Sequence, residues 1–174
     1  DFNQPLNDWN VSQVTDMSRM FYYCAYFNQP LPDWDTGKVT DMYYMFGKAW
    51  RFNEDVDNWN TANVEYMHGM FYGGGSDAAR KPAGGAEFNR DISLWNVNKV
   101  LNIGYMFQQQ PNMQKDLSSW NVRSDVNVDP GTFDLYTTEL CGVAWSEVVD
   151  NSVSSNRCAT PPDEATCVAG GLNF

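Results

Sequence analysis

The sequence predicts an α/β repeat solenoid, built from leucine-rich-repeat-like coils with a short parallel sheet on one face and helical or 3₁₀ turns on the other. Three observations lead there. A Phe-Asn pair, a Trp and a Met-Phe pair return at one fixed interval; the apolar spacing changes period inside each unit; and the regularity stops near the C-terminus, leaving an irregular cap.

The interval is 25 residues. Phe-Asn stands at Phe2, Phe27, Phe52 and Phe88, and the Trp at Trp9, Trp34, Trp59, Trp95 and Trp120. The one longer step, Trp59 to Trp95, is 36 residues, one period plus an 11-residue insertion within "YGGGSDAARKPAGGAE". Gly, Ala, Ser and Pro extend neither a strand nor a helical face there, so the insertion reads as a surface loop at about 73–87. Four regular repeats start at residues 2, 27, 52 and 88. A fifth, opening at Met113, keeps "DLSSWNV" and drifts out of register near Asp125. The repeat array is thus placed at 1–140 and the cysteine-containing cap at 141–174.

Within a repeat, "LNDWNVS" alternates around Trp9 and Val11 as a short strand does, with Asp8 and Asn10 pointing the other way. "VTDMSRMFYY" then spaces Val14, Met17, Met20 and Phe21 by threes and fours, the spacing of a helical or 3₁₀ turn lying on the same core. Stacked coils would pair each strand with its equivalent at about 4.8 Å. The Trp series and Met17, Met20, Met42, Met45, Met67, Met70 and Met106 fall in this phase and read as core. Asn3, Asn28, Asn53 and Asn89 read as a ladder that satisfies turn backbone, and Asp16, Asp41 and Asn102 as caps of the helical segment.

A chain of 174 residues with 43% hydrophobic and 15% aromatic content can fill one elongated core. The net charge of -11 argues against nucleic acid and anionic membrane surfaces and leaves cationic partners, metal ions and neutral glycans open. No apolar run approaches 18 residues, so no transmembrane segment is expected. The chain opens directly on a full repeat with neither initiator Met nor signal peptide, which reads as a fragment or processed product with further repeats upstream.

The units "WNVSQVTDMSRMFYYCAYFNQPL" and "WDTGKVTDMYYMFGKAWRFNEDV" resemble the repeats of the BspA-like, mycoplasma-type surface protein family, over about residues 1 to 124. The resemblance weakens at "WNVNKVLNIGYMF" and is absent from the last 34 residues. It implies a right-handed leucine-rich-repeat solenoid on secreted or cell-surface proteins, generally described as adhesive, with no catalytic residues to carry over.

The outward strand positions are the first candidates for binding. Asp8, Asp33 and Asn58 form one row, continued by Leu94 and Ser119; Asn10, Asp35, Asn60, Asn96 and Asn121 form a second. Both would lie on the solvent face of the sheet, the usual binding side of such a solenoid. Arg80 and Lys81 in the insertion join them as candidates. The acids match no recognised ligand spacing, so neither a metal site nor a cofactor is expected. His68, the one histidine, occupies a position held elsewhere by Ser18, Tyr43 and Gly104 and reads as an exposed variable residue. No nucleophile has a predictable His partner and no phosphate-binding Gly loop follows a strand, so the chain is not expected to be an enzyme.

Cys24 stands alone and reads as a buried free thiol, whereas Cys141, Cys158 and Cys167 share the cap, where at least one disulfide is expected. Cys141 with Cys158 and Cys158 with Cys167 are both open. Asn10-Val11-Ser12 is a glycosylation acceptor pattern. Cysteine content and family resemblance together point to an extracellular or cell-surface setting. The expected function is a noncatalytic recognition or adhesion module binding a protein or glycan through the polar sheet face or the insertion loop. The alternative is a structural subunit or spacer in an extracellular filament, wall or large assembly.

Overall fold

In the computed structural model the described residues are 2–75, 77, 79–117 and 119–127, with the backbone of two short strands, β1 (Arg157–Cys158) and β2 (Cys167–Val168). Those strands pair antiparallel, with Arg157 opposite Val168 and Cys158 opposite Cys167. The expectation for Cys141 lies outside the described residues.

Successive repeats lie one on another. The backbone N–H of Met17 donates to Asp41 O at 2.9 Å, Arg19 to Tyr43 at 2.8 Å, Phe21 to Met45 at 2.9 Å and Tyr23 to Gly47 at 2.8 Å. The pattern recurs from the second coil to the third, where Met42, Tyr44, Phe46 and Lys48 donate to Tyr66, His68, Met70 and Tyr72. Parallel bridges mark one point of this seam: Asp16 with Asp41, Asp41 with Tyr66, Tyr66 with Asn102, and Asn102 with Asn127. Parallel pairing therefore falls on the Thr-Asp-Met stretch, not around Trp9 and Val11 where the strand was expected.

Two tight turns occupy the expected strand. Trp9 N–H donates to Leu6 O at 3.0 Å and Val14 N–H to Val11 O at 2.8 Å, and both bonds recur in the later coils. Asn10 and its equivalents shape the second turn: their Oδ1 atoms accept from the N–H two residues on, at Ser12, Gly37, Ala62 and Asn98, over 3.0–3.1 Å. An Asx residue that folds back on its own backbone favours a turn over an extended ladder.

Nor does a helix form among the described residues. From Met17 to Cys24, alternate N–H groups leave for the next coil while Met20, Tyr22 and Cys24 close i to i+3 turns on Met17, Arg19 and Phe21. A donor spent on a neighbouring coil cannot also close an i to i+4 bond, so the run of a helix is broken at every second residue. Residues in the left-handed region punctuate the path every fourth position: Arg19 (φ 58°) and Tyr23 (φ 63°), Tyr44 (φ 50°) and Lys48 (φ 61°), Tyr105 (φ 53°) and Gln109 (φ 57°). The apolar spacing of threes and fours is satisfied by this chain of turns. Asp16, Asp41 and Asn102 do accept from the N–H two residues on, but they begin turns, not helices.

Three aromatic columns fill the interior. Phe27, Phe52 and Phe88 stack at 6.0 and 6.2 Å; Phe21, Phe46, Phe71 and Phe107 at 5.2, 5.7 and 6.0 Å; Trp34, Trp59 and Trp95 at 6.1 and 6.4 Å. All are buried, each side chain contributing about 1.5–3 kcal/mol. Trp9 is the correction to the Trp series: with no preceding coil over it in the structure, it is 55% exposed.

The Asn column behaves as expected. The N–H groups of Asn28, Asn53 and Asn89 donate to Oδ1 of Asn3, Asn28 and Asn53 over 2.8–2.9 Å, and Gln114 N–H takes the next place on Asn89 at 3.1 Å.

Candidate functional site

The turn path decides which side chains face outward. In "DMxxMFxx" the Met and Phe residues enter the core, and the two positions between them project from the seam: Ser18 and Arg19, Tyr43 and Tyr44, His68 and Gly69, Gly104 and Tyr105. One turn on, Tyr22 and Tyr23, Gly47 and Lys48, and Tyr72 and Gly73 extend the same surface. Aromatic residues at these outward positions meet their equivalents in the next coil.

The result is a column of rings outside the core. The Arg19 guanidinium lies over the Tyr43 ring at 5.2 Å, Tyr43 stacks on His68 at 5.2 Å and 13°, and His68 meets Tyr105 edge-on at 5.2 Å. His68 Nδ1 also lies 3.2 Å from Asn102 Oδ1. The single histidine is thus half-buried in an aromatic column and not the exposed variable residue expected. A second column joins Tyr22, Tyr44 and Tyr72 through edge contacts of 5.7 and 5.5 Å, and Lys48 Nζ rests over Tyr22 and Tyr23 at 5.6 and 5.5 Å.

Glycines make room for these rings. A Cβ on Gly69, whose φ is +60°, would stand 2.6 Å from the Tyr44 ring; one on Gly47 would stand 2.6 Å from Tyr44 and 3.1 Å from Tyr22. Burial, followed by the repulsion of neighbouring tyrosinates, pushes the Tyr44 hydroxyl up to about 12, so it stays a proton donor at any physiological pH. Arg19, Tyr22, Tyr43 and Tyr44 line an open groove of about 330 Å³.

The insertion folds back over the first two coils. Tyr23 Oη donates to the Asp77 carboxylate at 2.7 Å, and Arg80 both stands over the Tyr23 ring at 5.5 Å and faces Asp77 at 3.7 Å. The bond from Tyr23 holds Asp77 below the usual carboxylate value, and the same bond raises the Tyr23 hydroxyl. Lys81 Nζ donates to Gln109 Oε1 at 3.2 Å and lines a wider cleft of about 610 Å³ with Pro82, Gly85, Gln109 and Pro111; burial pulls its pKa down.

The residues of the expected binding rows are exposed, and most also make bonds within the stack. Asn10, Asp35, Asn60 and Asn96 are exposed, yet their Oδ1 atoms are engaged in the Asx turns. Asp33 accepts from Asn7 Nδ2 at 2.5 Å, and Asn58 donates to Pro32 O at 2.6 Å, both bonds joining adjacent coils. Asp8 is exposed and Leu94 83% so. Neither row lines the tyrosine groove. Cys24 is a half-buried free thiol whose pKa burial raises. Among the described residues no group of three or more His, Cys, Asp or Glu is placed to hold a metal ion, and no helix is long and apolar enough to cross a membrane.

Sequence reasoning missed the tyrosine surface because it followed the repeated positions, and these rings do not repeat. The signal was available: they stand beside the Met (or Ile103) and Phe core positions and are replaced from repeat to repeat by Ser, Arg, His, Lys, Gln and Gly.

The family described as "Mycoplasma protein of unknown function, DUF285" matches residues 1–78 and 83–134, the break falling inside the insertion. No curated protein and no solved structure matches the chain.

Proposed function

The chain belongs to this Mycoplasma family of unknown function, and from that premise we propose that it is a noncatalytic recognition or adhesion module of the BspA-like surface-protein kind. Its stacked coils form a solenoid at the cell surface or outside the cell, and its tyrosine-lined face binds a protein or glycan. One observation carries this reading: Tyr22, Tyr43, Tyr44, His68, Tyr72 and Tyr105 build a continuous half-exposed ring surface outside a core that is already complete. Such rings offer large contact area at low cost in side-chain entropy, with a hydroxyl at the rim. The test is retention of the labelled full chain on arrays of extracellular proteins and glycans, for the native sequence, Tyr43→Ala and Asp33→Lys. Loss with Tyr43→Ala and retention with Asp33→Lys supports the tyrosine face; the reverse returns binding to the polar rows.

A further inference from the structure

Resting on the tyrosine-face reading, we propose that the groove between Arg19, Tyr22, Tyr43 and Tyr44 is a subsite for an acidic sugar, with Arg19 taking the carboxylate and the rings taking the pyranose.

Arg19 is set apart from the other arginines whose side chains are described. Arg51, Arg80, Arg90 and Arg123 each face a carboxylate, at 2.9, 3.7, 3.4 and 2.7 Å from Glu87, Asp77, Asp55 and Asp125. Arg19 makes no ion pair or side-chain hydrogen bond among the described residues, although acids outnumber bases 22 to 11 in the chain. Its guanidinium carbon stands 5.2 Å from the centre of the Tyr43 ring, and its N–H groups, without another side-chain partner among the described residues, are open to a ligand. A guanidinium presented this way matches a carboxylate in two parallel bonds.

Lys48 Nζ, outside the groove lining, stands over Tyr22 and Tyr23 at 5.6 and 5.5 Å and is likewise without an ion pair among the described residues. Arg19 in the groove and Lys48 against one of its rings place two cations together on a protein of net charge -11, and complementarity favours an anionic occupant there. The rings say which kind. Tyr22 and Tyr44 meet at 90°, giving a floor and a wall, and Tyr43 and Tyr44 are tilted at 71°. A pyranose has one flat C–H face to lay on such a floor and equatorial hydroxyls that accept from phenols at the wall. At about 330 Å³ the groove lies at the small end of ordinary ligand sites, about 300–1,000 Å³. An acidic peptide would gain from the cations and make little use of the right-angled rings.

The experiment is retention, on the immobilised full chain, of a panel of acidic oligosaccharides (oligogalacturonate, oligomannuronate, hyaluronan fragments and sialyllactose) and of the same panel with the carboxylates reduced to alcohols. The native chain is expected to hold at least one acidic member about tenfold or more above its reduced counterpart, and Arg19→Gln to erase that difference while leaving circular dichroism and melting unchanged. Tyr43→Ala is expected to weaken both members of the pair. Equal retention of acidic and reduced forms, both lost in Tyr43→Ala, overturns the acidic subsite and keeps the tyrosine face as a neutral-glycan surface. An acid preference that survives Arg19→Gln overturns the assignment of the groove. Retention of a poly-glutamate peptide with no acidic glycan held overturns the sugar, and retention of nothing overturns the proposal, the protein arm of the array then deciding the broader reading alone.

Discussion

The indole Nε1 of Trp59 donates to the carbonyl of Leu31, one coil earlier, at 3.2 Å. The same bond joins Trp34 to Leu6, Trp95 to Val56 and Trp120 to Ile92, at 3.1, 2.8 and 2.9 Å. The Trp is thus at once a core ring and a clamp between neighbouring coils, which explains why no other aromatic replaces it.

Trp59→Phe substitutes a smaller ring and removes the donor, leaving Leu31 O only the turn bond from Trp34 N–H at 3.4 Å. Denaturant unfolding should show a loss of about 1–3 kcal/mol, from the lost bond and the space left by the smaller ring. Trp9→Phe, at an exposed indole, should fall within about 0.5 kcal/mol of the native chain.

Asn53 passes the ladder on, its Oδ1 accepting from Asn89 N–H at 2.9 Å. Asn53→Ala leaves that N–H unpaired and should cost about 1–3 kcal/mol, while Asn53→Asp preserves an acceptor and should cost less. Hydrogen exchange at Asn89, faster in Asn53→Ala alone, locates the effect.

Gly69→Ala places a Cβ 2.6 Å from the Tyr44 ring and a side chain at φ +60°. The left-handed conformation alone should cost roughly 1 kcal/mol. The displaced ring adds to it, so a lower Tm should accompany weakened binding at the tyrosine face.

The insertion should release at both pH extremes. Asp77 has its pKa lowered on folding, so its contribution is present above the ordinary carboxylate value of 3.8 and is lost as pH falls through the lower folded value. Tyr23 has its pKa raised, so its contribution is present below the ordinary value of 10.0 and is lost as pH rises through the higher folded value. Protection of the Arg80 and Lys81 amides, corrected for the intrinsic pH dependence of hydrogen exchange, should fall outside that window, and Tyr23→Phe should abolish the alkaline step and weaken the acid one, where Ala79 N–H and Arg80 still hold Asp77 down.

Ultraviolet titration offers a check on the groove. A tyrosine step near pH 12 is expected, and Tyr44→Phe should abolish it.

The sequence by itself determined the period of 25, the place of the insertion, the Phe, Met and Trp core and the Asn ladder, because each coil must bury and satisfy the same positions against the next. It could not determine the backbone between them. A spacing of threes and fours is met equally by a helix and by linked turns with a left-handed residue every fourth position; only the donation of Met17, Arg19 and Phe21 to the neighbouring coil selects the turns. That selection sends Tyr22, Tyr43, Tyr44 and Arg19 outward. It also gives the polar rows to Asx turns and coil-to-coil bonds. The tie from Tyr23 to Asp77, 54 residues apart, is likewise a fact of the stack, since no local pattern says which coil a loop will fold back upon.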